Sequence, residues 1–191
     1  MKIIGFVGSP RDGNTKKLTE IALKEAESMG AETELVHIGR MKIAPCKACD
    51  ACKKTGECII KDDFREAEKA LESADGIIFA SPVYFGGTSA QLKAFMDRTR
   101  ALRRRGALKD KVGGAIAVGA TRNGGQETTI QQIHNFFLIQ EMIVVSDEKT
   151  AHYGGTGHAG PPGAIESDEF GLETAKNLGR HVAGVAKKLI T

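Results

Sequence analysis

Apolar runs of strand length alternate with helical apolar stripes along the 191-residue chain. That alternation constrains the fold more than any other feature, because repeated strand–helix units build a parallel sheet with helices on both faces. Lys2–Val7 reads as the first strand. Asn14–Met29 reads as a helix with Leu18, Ile21, Ala22 and Met29 on one face and Asn14 as its N-cap. Glu32–Ile38 follows as a strand, Asp63–Glu72 as a helix and Gly76–Ala80 as the third strand. Leu92, Phe95, Met96, Thr99 and Leu102 give the next helix its apolar stripe. Val112–Val118 and Met142–Ser146 are the fourth and fifth strands, flanking a helix over Thr128–Gln140. The closing helix, Phe170–Ile190, turns Leu172, Ala175, Leu178, Val182, Val185 and Leu189 inward. Tyr153–Gly163, rich in glycine and proline, reads as a long loop. No internal repeat or linker interrupts the pattern, so residues 1–191 are expected to form one α/β domain. Its sheet would be doubly wound, five-stranded and parallel, in the order 2-1-3-4-5.

One segment does not belong to that pattern. Between the second strand and the second helix, over residues 41–60, lie the chain's only four cysteines: Cys46, Cys49, Cys52 and Cys58. Three thiolates spaced by two residues point at one centre, and the fourth closes the cage after a short loop, as an iron–sulfur cubane requires. Structural zinc remains a competing reading, although it usually draws on two separated CxxC knuckles. Disulfides suit this spacing and a cytosolic chain poorly, and a CxxC redox dithiol leaves two cysteines without a role. Lys42, Lys47, Lys53, Lys54 and Lys61 flank the segment. They would offset the negative charge of a thiolate-ligated cluster, or they are plain solvated loop lysines.

Composition narrows the function. Hydrophobic residues are 41% and charged residues 27% of the chain, which fits a globular domain rather than a disordered or membranous one. A formal charge of +3, no tryptophan and two tyrosines argue against a nucleic-acid module. Met1 leads directly into a buried strand with no signal-peptide pattern, and no apolar run reaches membrane-spanning length. The expectation is a cytoplasmic protein without membrane or nucleic-acid partners.

In sheets of this kind ligands bind beyond the carboxyl ends of the strands. After the first strand, Gly8-Ser9-Pro10-Arg11-Asp12-Gly13-Asn14-Thr15 lacks the GxGxxG of a dinucleotide site. Its hydroxyls, arginine and helix N-terminus suit a terminal monophosphate, where a plain turn would need only a helix cap. The second strand ends in His37-Ile38-Gly39, with no acid to hold an adenosine ribose. After the third strand, Ser81-Pro82-Val83-Tyr84-Phe85-Gly86-Gly87 offers aromatic and glycine surface to a flat ring, or is a turn with two core aromatics. After the fourth, Gly119-Ala120-Thr121-Arg122-Asn123-Gly124-Gly125-Gln126-Glu127 could present donors to a pyrimidine-like edge.

These segments carry a resemblance. GSPRxxGNT, SPVYFG and TRNGGQE resemble the NAD(P)H-dependent FMN reductase superfamily, whose fold is flavodoxin-like. With the compact cysteine motif added, nearly the whole chain resembles the iron–sulfur flavoproteins of anaerobic archaea and bacteria. The resemblance implies FMN and one 4Fe–4S cluster per subunit, in a homodimer or homotetramer. It places Ser9, Arg11, Asn14 and Thr15 on the FMN phosphate. Pro82, Val83, Tyr84, Phe85 and Gly86 would line the isoalloxazine, and Thr121, Arg122, Asn123 and Gly124 would complete the site. Cys46, Cys49, Cys52 and Cys58 would hold the metal. Nothing is carried over to residues 151–162, where His152 and His158 could form part of a flavin lid or are surface histidines of a loop.

The resulting expectation is a redox enzyme with cofactor-borne chemistry. It would take electrons from ferredoxin or a similar carrier and pass them through cluster and flavin to a small acceptor such as oxygen, peroxide or a quinone. An NAD(P)H-dependent FMN or quinone reductase with structural metal, and a non-catalytic redox sensor, are the alternatives. Arg103-Arg104-Arg105 suits a helix C-terminus, and it could also dock an acidic carrier.

Overall fold

A computed structural model describes residues 1–190. Strands β1 (Lys2–Val7), β2 (Glu32–Val36), β3 (Gly76–Pro82) and β4 (Val112–Gly119) are parallel neighbours in the order β2-β1-β3-β4, continued by β5 (Ile143–Val144). The flavodoxin-like doubly wound order therefore stands. β3 and β4 are buried at every position, as central parallel strands covered on both faces must be.

Alternation along the strands sorts side chains into two cores. Ile4, Phe6, Ile77 and Phe79 face α3 (Phe64–Ser73), α4 (Ala90–Arg98) and α6 (Gln126–Ile139). Aromatic rings dominate that side: Phe6 stacks on Phe95 at 5.7 Å, and Phe79 meets Phe137 at 5.1 Å. Ile3, Ile78, Ala80 and Ile116 face α1 (Asn14–Ser28) and α7 (Glu169–Ile190). These two helices touch at Gly179, where a β-carbon would lie 2.0 Å from the Ala22 carbonyl oxygen. Among the described residues no helix is long and apolar enough to cross a membrane.

Several boundaries differ from the sequence expectation. β2 stops at Val36, and a 3-10 turn over Ile38–Arg40 buries Ile38. Asn14 is the first residue of α1 rather than its cap; Gly13 takes the cap position, and no side chain caps the helix. Instead the Asn14 carboxamide bridges to the 160s loop, donating to Pro161 O (2.8 Å) and accepting from Gly163 N (2.9 Å). The stripe at 92–102 spans two helices, α4 and α5 (Arg100–Arg104), separated at Thr99. A short helix, α2 (Ala51–Thr55), forms inside the cysteine segment. The fifth strand is split. Two residues of β5 pair with Val112 and Gly113, the chain leaves, and β6 (Gly155–His158) returns against Ile116–Gly119. The expected loop at 153–163 thus contains a strand, so the sheet has six. Leu189, expected to face inward on α7, is half exposed.

Candidate functional site

The loop after β1 is built to hold a shape. Gly8 N–H donates to Ala80 O at 2.7 Å, and a β-carbon at Gly8 would lie 2.7 Å from that of Leu92, so the chain turns tightly over β3. The buried Ser9 hydroxyl folds onto its own loop, donating to Arg11 O (3.0 Å) and accepting from Arg11 N (3.2 Å). Beneath it, His37 Nε2 lies 2.8 Å from Ser9 O, and Gly39 packs so closely that a β-carbon would sit 1.9 Å from that oxygen. The segment after β2 therefore supports this loop, a role that its sequence did not signal.

The loop leads into an uncapped helix, whose first N–H groups need acceptors. Arg11 is exposed, and its guanidinium has no partner among the described residues. The next residue in the chain, Asp12, is paired with Lys16 (2.9 Å) and Arg40 (3.6 Å). The Lys16 hydrogen bond, opposed by desolvation, holds the Asp12 carboxyl below its usual range. Free N–H groups, an unpaired arginine and a neutralised acid suit an anion.

The β3 loop is tied to its neighbours by Ser89. Its hydroxyl donates to Gly8 O (2.7 Å), its N–H donates to Ser81 Oγ (2.9 Å), and it caps α4 by accepting from Leu92 N (3.2 Å). Tyr84 and Gly87 exchange backbone hydrogen bonds of 3.0 and 3.1 Å around a two-residue turn. Phe85 and Gly86 there have φ of 51° and 75°, both left-handed, as in a type I′ turn. The Phe85 ring stands fully in solvent. α6 fixes the turn through Thr128 Oγ1 to Gly86 O (2.7 Å) and Gln132 Oε1 from Thr88 N (2.8 Å).

These loops enclose a cleft of about 160 Å³. It gathers seven of the expected flavin residues: Ser9, Arg11, Asn14, Thr15, Pro82, Val83 and Tyr84. Asp12, Gly13, Val118, Ala120, Ala159, Gly160 and Pro162 complete its wall. The last three come from the segment to which no role was assigned; the signal available there was its Gly-Pro richness. The polar end offers anion donors, and the Pro82–Val83–Val118–Ala120 end offers apolar surface. That donor set fits a flavin mononucleotide.

The remaining expected residues lie outside this cleft. Phe85 and Gly86 project beyond it at the turn. In the β4 loop, buried Gln126 accepts from Gly124 N (2.8 Å) and donates to Thr121 O (2.8 Å), so Thr121 and Gly124 shape the loop. Arg122 points the other way. It is ion-paired with Asp168, donates weakly to Thr156 O (3.4 Å) and lies over the Phe170 ring at 5.6 Å. Arg122 and Asn123 line a second pocket with His152, Thr156 and Phe170. His152 is thus not a lid on the first cleft, and His158 ends β6.

The cysteine segment is wound by left-handed Ala48 (φ 51°) and Asp50 (φ 58°), then by α2 and Gly56 (φ 75°). All four thiols are free, and they line one pocket with Ile59, Ile60, Arg98 and Arg100. Among the described residues no three Cys, His, Asp or Glu side chains are drawn closely enough together to hold a metal ion. The donor set, four cysteines lining one pocket, fits a thiolate-ligated metal centre. Asp50 pairs with Lys53 (2.7 Å) and with Arg100. Lys53 is therefore committed, whereas Lys42, Lys47, Lys54 and Lys61 have no side-chain partner among the described residues.

Arg98 was read only as part of a helix, yet its side chain is fully buried beside this pocket, donating to Cys58 Sγ at 3.2 Å. Burial pushes the Asp62 carboxyl up, but hydrogen bonds from Arg98, Ala44 N and Phe64 N outweigh it and hold Asp62 below its ordinary range. Arg103 pairs with Glu141 (2.9 Å) and Arg105 with Glu72 (2.6 Å), leaving Arg104 exposed.

Comparison with known proteins agrees with this picture. The profile of the family described as NADPH-dependent FMN reductase matches residues 1–155. An iron-sulfur flavoprotein of Methanocaldococcus jannaschii is 58% identical over 98% of both chains. One of Methanosarcina thermophila is 46% identical over 97% of this chain and 95% of its own. A flavodoxin, WrbA-like protein of Agrobacterium tumefaciens superposes with a TM-score of 0.68 at 24% identity, covering 98% and 97% of the two chains; it speaks for the fold alone. This chain belongs to the iron–sulfur flavoproteins of the NADPH-dependent FMN reductase family, and it is a redox flavoprotein, an oxidoreductase.

Proposed function

We propose that the protein binds FMN in the cleft at the ends of β1, β3 and β4, and a 4Fe–4S cluster on Cys46, Cys49, Cys52 and Cys58. It would move electrons between a ferredoxin-type carrier and a small acceptor such as oxygen, peroxide or a quinone. The observation that carries this reading is the four free cysteines lining one pocket on a flavoprotein frame. An iron–sulfur cluster exchanges electrons singly, and a flavin singly or in pairs, so the chemistry belongs to the cofactors.

The chain's part is placement. Arg11, Ser9, Thr15 and the open N–H groups of α1 receive the phosphate. Asn14 fastens the 160s loop over that end of the cleft, and Pro82, Val83 and Tyr84 pack on the ring system. Phe85, Gly86, Thr121, Arg122, Asn123 and Gly124 stay within the proposal only as outer contacts of the bound flavin or of a second subunit. Arg104 and the unpaired lysines around the cysteine segment give an acidic carrier a positive face. The reading includes a cytoplasmic homodimer or homotetramer.

Protein isolated without oxygen under iron-replete conditions should carry about four iron and four acid-labile sulfides per chain, with one FMN. Stoichiometric zinc with little iron would replace this reading by that of a flavin or quinone reductase with a structural metal. Turnover with reduced ferredoxin and each acceptor separates the enzyme from a sensor.

A further inference from the structure

Arg98 closes α4, three residues after the buried Phe95 and four before the buried Leu102 of α5. All five of its guanidinium N–H groups are used. Nε donates to Cys58 Sγ at 3.2 Å. One terminal nitrogen donates to Ala44 O (2.8 Å) and Asp62 Oδ2 (2.8 Å), the other to Ile60 O (3.3 Å) and Asp62 Oδ1 (3.1 Å). The guanidinium lies over the Phe64 ring, 4.6 Å from its centre. A planar fork held by a bidentate carboxylate and two carbonyls has one orientation, and that orientation aims Nε at the sulfur.

Two consequences follow from the placement. Ala44 precedes Cys46 and Ile60 follows Cys58, so one side chain ties both ends of the cysteine segment. Asp62 completes the tie by accepting from Ala44 N at 2.9 Å. The four sulfurs are also unequal. Cys46 Sγ accepts only from Ala48 N at 3.5 Å, whereas Cys58 Sγ faces a buried cation. Reduction of a thiolate-ligated centre adds one electron and one negative charge, and a buried N–H donor on the ligand sulfur favours that state.

We infer that Arg98 is a positioning residue: it holds the Cys58 sulfur and raises the reduction potential of the metal centre at the four cysteines. The inference rests on the cluster reading above. Lysine keeps the charge but loses the fork, and methionine keeps only the apolar stem, so Arg98→Lys and Arg98→Met separate the contributions.

The test is a dithionite titration of anaerobically prepared protein, following the cluster by electron paramagnetic resonance and the flavin by absorbance. Iron, sulfide and FMN are counted on each sample. Arg98→Met should make cluster reduction at least tenfold less favourable, which is about 59 mV for one electron. Arg98→Lys should recover part of that loss, with the flavin potential unmoved in both. If Arg98→Met does not fold, Arg98→Lys carries the test. An unshifted potential in either cluster-bearing variant would overturn the inference. So would variants that fold and bind FMN but hold no cluster, since Arg98 would then act in assembly alone. Wild-type protein without iron and sulfide would instead remove the reading on which the inference stands.

Discussion

The flavin cleft and the cysteine segment lie on one chain but are held in different ways. The cleft is built from the ends of buried strands: Ser81, Ser89 and Ser9 are all buried, the Ser89 hydroxyl joins the β3 loop to the β1 loop at Gly8 O, and those of Ser9 and Ser81 brace each loop from within. From Met41 to Asp63, by contrast, no residue is buried. That segment is fixed by polar anchors: Arg98 on Asp62 and Cys58, Lys42 N–H on Asp63 (2.7 Å), Arg65 on Glu57 (2.6 Å) and Arg105 on Gly56 O (3.2 Å). One site follows from packing the sheet. The other is grafted onto it, and its final shape depends on what the sulfurs hold. The two should therefore fail separately.

The largest expected effect tests that separation. Cys49→Ala removes one of only four thiolates, with no spare cysteine to replace it. The cluster should be lost or reduced to a lower-iron form, while FMN stays bound and the far-ultraviolet circular dichroism is unchanged. Ferredoxin-driven reduction of the bound flavin, followed by stopped flow, should fall sharply. Reduction by a small chemical donor should persist. Undiminished ferredoxin-driven reduction in a folded, cluster-free variant would take the cysteines off the electron path.

The next effects belong to the cleft. Arg11→Ala should weaken FMN binding by ~1.5–3 kcal/mol, the worth of a charged hydrogen bond. Titration of the apo-protein with FMN reads this directly, and an unchanged dissociation constant would show that Arg11 is not a phosphate ligand. Gly39→Ala acts on the same loop from beneath. Its β-carbon meets backbone, Ser9 O at 1.9 Å and Ser9 C at 2.3 Å, so the loop itself must move. A cost of ~1–3 kcal/mol, typical of overpacking, should appear in both thermal stability and FMN affinity. Iron content should not change. A loss of iron from Gly39→Ala would mean that the two regions are coupled after all.

The sequence was most informative where local pattern and tertiary role coincide. β1 was placed to the residue, and the central strands announced themselves as apolar runs, because a strand buried on both faces has no polar alternation to obscure it. β6 was missed because Gly-Thr-Gly-His looks like a turn. Its glycines are packing devices: a β-carbon at Gly157 would lie 2.8 Å from Ile165 and 2.9 Å from Leu18. Arg98 was hidden because an arginine is expected to be solvated. The available clue was its position, three residues after Phe95 and four before Leu102 on a buried stripe. Arg122 shows the opposite limit. A loop motif could be matched residue by residue, but the Asp168 that turns its side chain away lies 46 positions later.

The smallest expected effect concerns Phe85. A φ of 51° is strained for phenylalanine, and the second position of the same turn has the glycine that such a turn prefers. Its ring is fully exposed, so burial does not offset that strain. Phe85→Asn should therefore stabilise the protein by about 1 kcal/mol, since asparagine tolerates the left-handed region. The turn stands beside Tyr84, which lines the cleft, and strain kept at the rim of a site points to a contact made there. The same substitution should then weaken FMN binding by about 0.5–1 kcal/mol, the scale of one aromatic contact. Chemical denaturation of the apo-protein isolates the first term, and FMN titration the second. A variant that is more stable yet binds FMN as well as before would confine the flavin site to the cleft proper and leave Phe85 outside it.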